Sequence, residues 1–114
     1  MTDKIVVLST CSSAEESAKI AHHLLALRLV ACAAITPAVR SVYHWQGAIE
    51  ESAEWALSMK TRRDLFAELC TELRKLHSYE VPEIVAVPIV DGSAGYLEWM
   101  DRELRPLLPY AGAL

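Results

Sequence analysis

Two segments of this sequence combine side chains that could do chemistry. Cys11 follows the apolar run 5–8 and falls at the carboxyl end of a predicted strand. The stretch 76–84 places the imidazole of His77 and the carboxylate of Glu80 just after a predicted helix. Imidazole combined with thiolate or carboxylate suits copper or zinc. The sequence therefore predicts a Cu(II) or Zn(II) site at Cys11 and His77, with Glu80 as the third ligand.

Two of the three predicted ligands, Cys11 and His77, also have ordinary structural explanations. A histidine near the end of a helix often caps the final carbonyl groups. A cysteine in a strand is often a small, buried core residue. These alternatives stay open at the level of sequence.

The segment 41–50 is a candidate binding surface. Its strand pattern puts Tyr43 and Trp45 on one face beside a turn. Large aromatic side chains are common in binding surfaces, but they also dominate cores and subunit interfaces, and simple packing is the favoured interpretation. The full set of ligand-cleft or interface candidates is Tyr43, Trp45, Lys60, Tyr79, Glu83 and Trp99.

The sequence contains no recognisable catalytic apparatus, and we expect no enzyme activity. It has four glycines, no phosphate-binding loop and no GxSxG motif. His22 and His23 are neighbours on a predicted helix, so their side chains diverge and cannot chelate one ion. Cys32 and Cys70 are interpreted as buried, inert thiols.

Length and charge limit the classes of function. The 114 residues predict one domain spanning 1–114, large enough to fold without a metal. A net charge of −4 without a basic stripe argues against nucleic acid, and no apolar run is long enough to span a membrane. The start at Met1 shows no secretory signal, and three cysteines without a CxxC pair indicate reduced thiols, so we expect a cytoplasmic protein.

The elements that must position these residues follow from the apolar patterns. We predict strands at 4–10, 31–36, 39–45, 52–60 and 84–90, where the second and third are either separate or one strand bent at Pro37. Predicted helices begin after Ser13, at 61–64 and at Tyr96, and end near Leu29, His77 and Arg105. The stripe of the first helix is assigned to Ala14, Ala18, Ala21, Leu25 and Leu29, and 106–114 is expected to be loose.

This order predicts an α+β, ferredoxin-like split β-α-β sandwich, with an antiparallel sheet and the helices on one face. The runs 5–8 and 84–87 are apolar at consecutive positions, so both of their faces require cover. Since the two main helices cover only one face, we expect self-association across the other.

Several motifs together resemble the CutA family of divalent-cation tolerance proteins. The similarity runs from about Ile5 to Leu104 and rests on the segments 29–33, 41–50, 59–61, 77–84 and 96–99. The resemblance implies a ferredoxin-like homotrimer with extended hairpins that embrace neighbouring subunits, and a role linked to copper and other divalent metals. The family usually has proline where this chain has Ser78, which predicts a freer loop around His77.

The resemblance also implies an architectural kinship with the PII signalling trimers. This kinship supports an alternative function, in which clefts between subunits bind a small anionic metabolite or a protein partner. Lys60 favours that alternative, because metal sites rarely contain a cation. The predicted cleft residues in this case are Tyr43, Trp45, Lys60, Tyr79 and Glu80.

Overall fold

The computed structural model describes residues 1–106, which form four strands and three α-helices. The predicted loose segment 106–114 lies outside this description except for Pro106. In chain order the elements are β1 (Lys4–Cys11), α1 (Ala14–Ala26), β2 (Cys32–Trp45), β3 (Ala48–Arg62), α2 (Phe66–Leu76), β4 (Val85–Pro88) and α3 (Ala94–Glu103). No helix among residues 1–106 is both long and apolar enough to cross a membrane.

The four strands form one antiparallel sheet in the order β2-β3-β1-β4. β1 pairs with β3 from Lys4 opposite Arg62 to Cys11 opposite Trp55. Because β3 lies between β1 and β2, α1 connects two strands that are not neighbours, which is the split β-α-β arrangement. The predicted fold class is confirmed.

Burial alternates along β1 as its residues point to opposite faces of the sheet. Val7 and Cys11 are fully buried on the face that α1 and α2 cover, whereas Val6 and Leu8, on the opposite face, are only half-buried. Every residue of β4 is exposed. The sheet therefore keeps one largely open apolar face, as the two-sided apolar pattern predicts.

The start of α1 is predicted correctly, but its buried face is predicted only in part, since Ala21 of the predicted stripe is buried. The hydroxyl of Ser13 accepts a hydrogen bond from the backbone N–H of Glu16 at 3.1 Å, which satisfies one free donor of the first turn. The helix buries Ile20, Ala21 and Leu24, whereas Ala14 and Leu25 of the predicted stripe are exposed. Alanine is only weakly apolar, so the alanine-rich sequence of α1 gives little information about which face of the helix is buried.

The predicted start of α2 near Thr61 is wrong. β3 continues to Arg62, and the Thr61 hydroxyl donates to the carbonyl of Leu29 at 2.6 Å instead of capping a helix. A single 3-10 turn follows before α2 begins at Phe66. The predicted end is correct, since α2 stops at Leu76 and His77 adopts an extended backbone.

β2 and β3 extend well beyond the rest of the sheet as a two-stranded ribbon, here called the distal hairpin (residues 39–54). β2 is one strand with a bulge at Pro37 and Ala38, and the hairpin turns at Gln46 and Gly47, which both have positive φ. β1 stops pairing with β3 at Trp55, so the ribbon has no third strand. Val42 is 62% exposed and Ile49 is 70% exposed.

Candidate functional site

Cys11 ends β1 on the face covered by helices, and its side chain has no exposed surface. Burial, together with the nearby carboxylates of Glu16 and Glu54, raises the pKa of the thiol to about 12. The thiol is therefore protonated at neutral pH. A cation that binds here must displace that proton, and the same two carboxylates favour a positive charge.

His77 lies immediately after α2 and points back to the end of β1. Its Nε2 is 2.7 Å from the carbonyl oxygen of Thr10 and 3.9 Å from Sγ of Cys11. Its Nδ1 accepts a hydrogen bond from the backbone N–H of Tyr79 at 3.1 Å. Because the carbonyl can only accept, Nε2 carries the proton, and these two partners fix one neutral tautomer. The imidazole side chain is fully buried.

The carboxylate that joins Cys11 and His77 is Glu16. One ligand atom from each of the three residues lies within 4.8 Å of the others. Oε1 of Glu16 is buried without a hydrogen-bond partner and is 4.0 Å from Nδ1 of His77. Glu16 was not among the predicted ligands because it fits a capping box, whose glutamate is expected to bond the helix start. The available signal was its place in the first turn of α1, next to the strand end that carries Cys11.

Glu80 does not reach this group. It is exposed and lines a separate cleft described below. Glu80 follows His77 by three residues, but the chain between Leu76 and Val85 forms no helix that would bring position 80 back over the imidazole.

Ser78 anchors the carboxylate of Glu16. Its backbone N–H donates to Oε2 of Glu16 at 3.0 Å. A proline at this position has no N–H and could not make this bond. The loop around His77 is thus tied to α1 by the residue that was expected to free it.

The donor set fits a divalent cation of the borderline-to-soft class. A thiol, an imidazole and a carboxylate are suited to copper or zinc, and the free, buried oxygen of Glu16 lacks the partner that a buried polar atom normally has. The cluster, defined as Cys11, Glu16 and His77, can accept a metal if the thiol releases its proton and the neutral imidazole offers its unprotonated nitrogen.

A cleft of about 780 Å³ lies between the distal hairpin and the loop after His77. It is lined by residues 41–45 and 79–83 together with Thr10 and Glu54. The hydroxyl of Tyr79 donates to Oε2 of Glu54 at 2.5 Å, and burial together with this bond raises the pKa of Tyr79 above its usual range. Four of the predicted cleft or interface candidates are found here, namely Tyr43, Trp45, Tyr79 and Glu83.

Lys60 and Trp99 lie elsewhere, near the start of β2. Nζ of Lys60 is 5.7 Å from the ring centroid of Tyr96 and 3.9 Å from Sγ of Cys32. The rings of Tyr96 and Trp99 are 5.4 Å apart. Cys32 and Cys70 are half-buried instead of buried, and the hydroxyl of Tyr96 is 3.6 Å from Sγ of Cys32.

The fold and the cluster define a class of small ferredoxin-like protein with a buried thiol, imidazole and carboxylate at one end of its sheet. The sequence model of the CutA1 divalent ion tolerance protein family matches residues 5–103. The chain belongs to this family, and the predicted resemblance is confirmed.

Known relatives agree with this assignment. The chain is 44% identical over 95 residues to the divalent-cation tolerance protein CutA of Thermus thermophilus, covering 83% of this chain and 92% of that protein. It is 39% identical over 101 residues to the chloroplastic protein CutA of Arabidopsis thaliana, covering 89% of this chain but only 56% of the Arabidopsis protein. The crystal structure of CutA from Xylella fastidiosa superposes with a TM-score of 0.88 at 35% identity, covering 91% of this chain and all of that one.

Proposed function

We propose that this protein binds a divalent metal ion, Cu(II) or Zn(II), at Cys11, Glu16 and His77, and that this binding underlies its role in divalent-cation tolerance. The observation that carries the proposal is the approach of the three donor atoms to within 4.8 Å around an unpaired carboxylate oxygen. Glu16 takes the place that sequence analysis gave to Glu80, because Glu80 faces the cleft.

The protonation state of the cluster gives binding its pH dependence. The thiol must lose its proton to coordinate, and the imidazole must offer a nitrogen that carries none. Because burial holds the pKa of the Cys11 thiol far above neutral pH, we expect affinity to rise with pH across the neutral range. Copper is preferred by the usual affinity order, but Cu(II) can also oxidise the thiol, so zinc is the cleaner probe.

Calorimetric titration with Zn(II) tests the site. We expect His77→Ala, Cys11→Ser and Glu16→Gln each to weaken binding at least tenfold, a loss of about 1.4 kcal/mol. Glu80→Gln is the matched control, since it removes a carboxylate on the same side of the molecule without touching the cluster. If the three variants bind as the wild type does, or if Glu80→Gln is the variant that loses affinity, the assignment is wrong.

We further propose that the functional form is a cytoplasmic homotrimer that acts by binding and not by catalysis. The open face of the sheet and the exposed apolar side chains of the distal hairpin support association. The resemblance to the CutA family supplies the number of subunits. Three free cysteines support a reducing compartment.

The described cleft does not favour the alternative of an anionic metabolite. Its lining includes the carboxylates of Glu54, Glu80 and Glu83, and it includes neither lysine nor arginine. Lys60, which supported that alternative, lies beside Tyr96 and Cys32.

A further inference from the structure

The ligands of the cluster are closed off from solvent, so an ion needs a route to reach them. Cys11 and the side chain of His77 have no exposed surface, and the Glu16 side chain is mostly covered. The acid-lined cleft comes near this cluster, because its wall includes Thr10, whose carbonyl oxygen accepts from His77.

Tyr79 stands between the cleft and the cluster and contacts both. On the cluster side, its backbone N–H donates to Nδ1 of His77, and the two rings are 4.8 Å apart. On the cleft side, its hydroxyl donates to Glu54, a carboxylate that is only 5% exposed although it lines the cleft. Hydrogen bonds to charged groups are among the stronger ones in proteins, so this bond holds the phenol in place.

We propose that the hydrogen bond between Tyr79 and Glu54 is a latch that controls the passage of divalent cations from the acidic cleft to the buried cluster. This inference rests on the metal site proposed above. When the bond breaks, the tyrosine ring moves away from His77 and an ion attracted by the cleft carboxylates reaches the ligands. Tyr79 is in this account a positioning residue and not a ligand.

The backbone around Tyr79 suits such a movement. Between the end of α2 at Leu76 and the start of β4 at Val85, the chain forms neither helix nor strand. Movement of this loop therefore breaks no helical turn and no sheet hydrogen bond. Loops of this kind open at a lower free energy than the elements they connect.

A latch predicts a change in the rates of metal binding and release, which a purely structural role of Tyr79 does not predict. If the bond stabilises the closed state equally with and without metal, its removal speeds entry and exit alike and leaves the affinity unchanged. We expect Tyr79→Phe to raise both the association and dissociation rates of Zn(II) at least tenfold, with a dissociation constant close to that of the wild type.

Stopped-flow mixing measures both rates. Tryptophan fluorescence follows Zn(II) entry, and transfer of Zn(II) to an excess of a colorimetric chelator follows its release. Tyr43→Phe is the matched control, because it removes a phenol hydroxyl that lines the same cleft and bonds Ser52 instead of Glu54. Glu54→Gln weakens the latch from the other side and is expected to speed release as well.

Binding with wild-type rates in both Tyr79→Phe and Glu54→Gln would overturn the latch and leave the metal site standing. In Tyr79→Phe, which keeps every charge, a change in affinity caused by faster release alone would also overturn it, since that result indicates a lost ligand or a damaged site. The absence of Zn(II) binding to the wild-type protein would overturn the site and the latch together.

Discussion

The two halves of β3 have similar apolar content but different surroundings. From Trp55 to Arg62 the strand lies between β1 and β2, and Leu57 and Met59 are buried beneath the helices. From Ala48 to Glu54 it pairs only with β2. In the distal hairpin, side chains as large as those of Trp45 and Ile49 remain exposed.

The two halves of β3 therefore differ in what stabilises them. The covered half is stabilised by apolar burial within one chain. A two-stranded ribbon is at best marginally stable in water by itself, so we expect the distal hairpin to pack against a surface that residues 1–106 of the same chain do not provide. The position of the cleft between this hairpin and the loop after His77 links the proposed assembly to the proposed metal route.

Removal of a core side chain is expected to have the largest effect. Leu24 has no exposed surface, and we expect Leu24→Ala to lower the free energy of unfolding by about 2–5 kcal/mol. Leu25→Ala is the matched control at the next position, where the side chain is 38% exposed, and should cost less than about 1 kcal/mol. Denaturant unfolding measures both. Equal losses would contradict the burial of α1 described here.

Trp45→Ala tests how the distal hairpin is stabilised. If Trp45 is an aromatic anchor between subunits, its truncation should cost more than about 2 kcal/mol of assembly free energy. Concentration-dependent sedimentation measures that loss, with His44→Ala as a control on the opposite face of the same strand. An unchanged oligomer with unchanged thermal stability would instead assign Trp45 to a ligand cleft.

The smallest effect is expected from the carboxylate of Glu72 on α2, which bonds Lys75 of the same helix and His23 of α1. Hydrogen bonds from Lys75 and His23 hold the pKa of Glu72 below its ordinary value. The contribution of a carboxylate with a lowered pKa is present above its unfolded value, about 4.3, and is lost as the pH falls through the folded value.

Thermal midpoints at about pH 7 and about pH 3 test this contribution. We expect Glu72→Gln to lower the midpoint slightly at the higher pH and not at the lower one, with a smaller difference at high salt. If Glu72→Gln destabilised the protein as much as Leu24→Ala does, ion pairs and not apolar burial would be the main source of stability in the covered half of the molecule.

Patterns with a strong physical cause were readable from the sequence. The consecutive apolar residues of β1, the Ser13 cap and the turn at Gln46 and Gly47 each leave a local signal. The two-sided apolar character of β1 also indicated an open sheet face. These features depend on a few neighbouring residues, so one sequence suffices to find them.

The errors came from contacts between distant residues. Thr61 resembles a helix cap but bonds Leu29, 32 positions away, and therefore stays in β3. Glu16 resembles a capping-box residue but turns to Ser78, 62 positions away. The assignment of Glu80 relied on closeness in sequence to His77, whereas the third member of the cluster comes from another helix.

Sedimentation equilibrium of the full chain tests most directly the claim that the distal hairpin and the open sheet face require further copies. We expect a species of three times the chain mass of 12.7 kDa that persists at micromolar concentration without added metal. A folded monomer at that concentration would contradict it, because the apolar surface described here would then be stable in water.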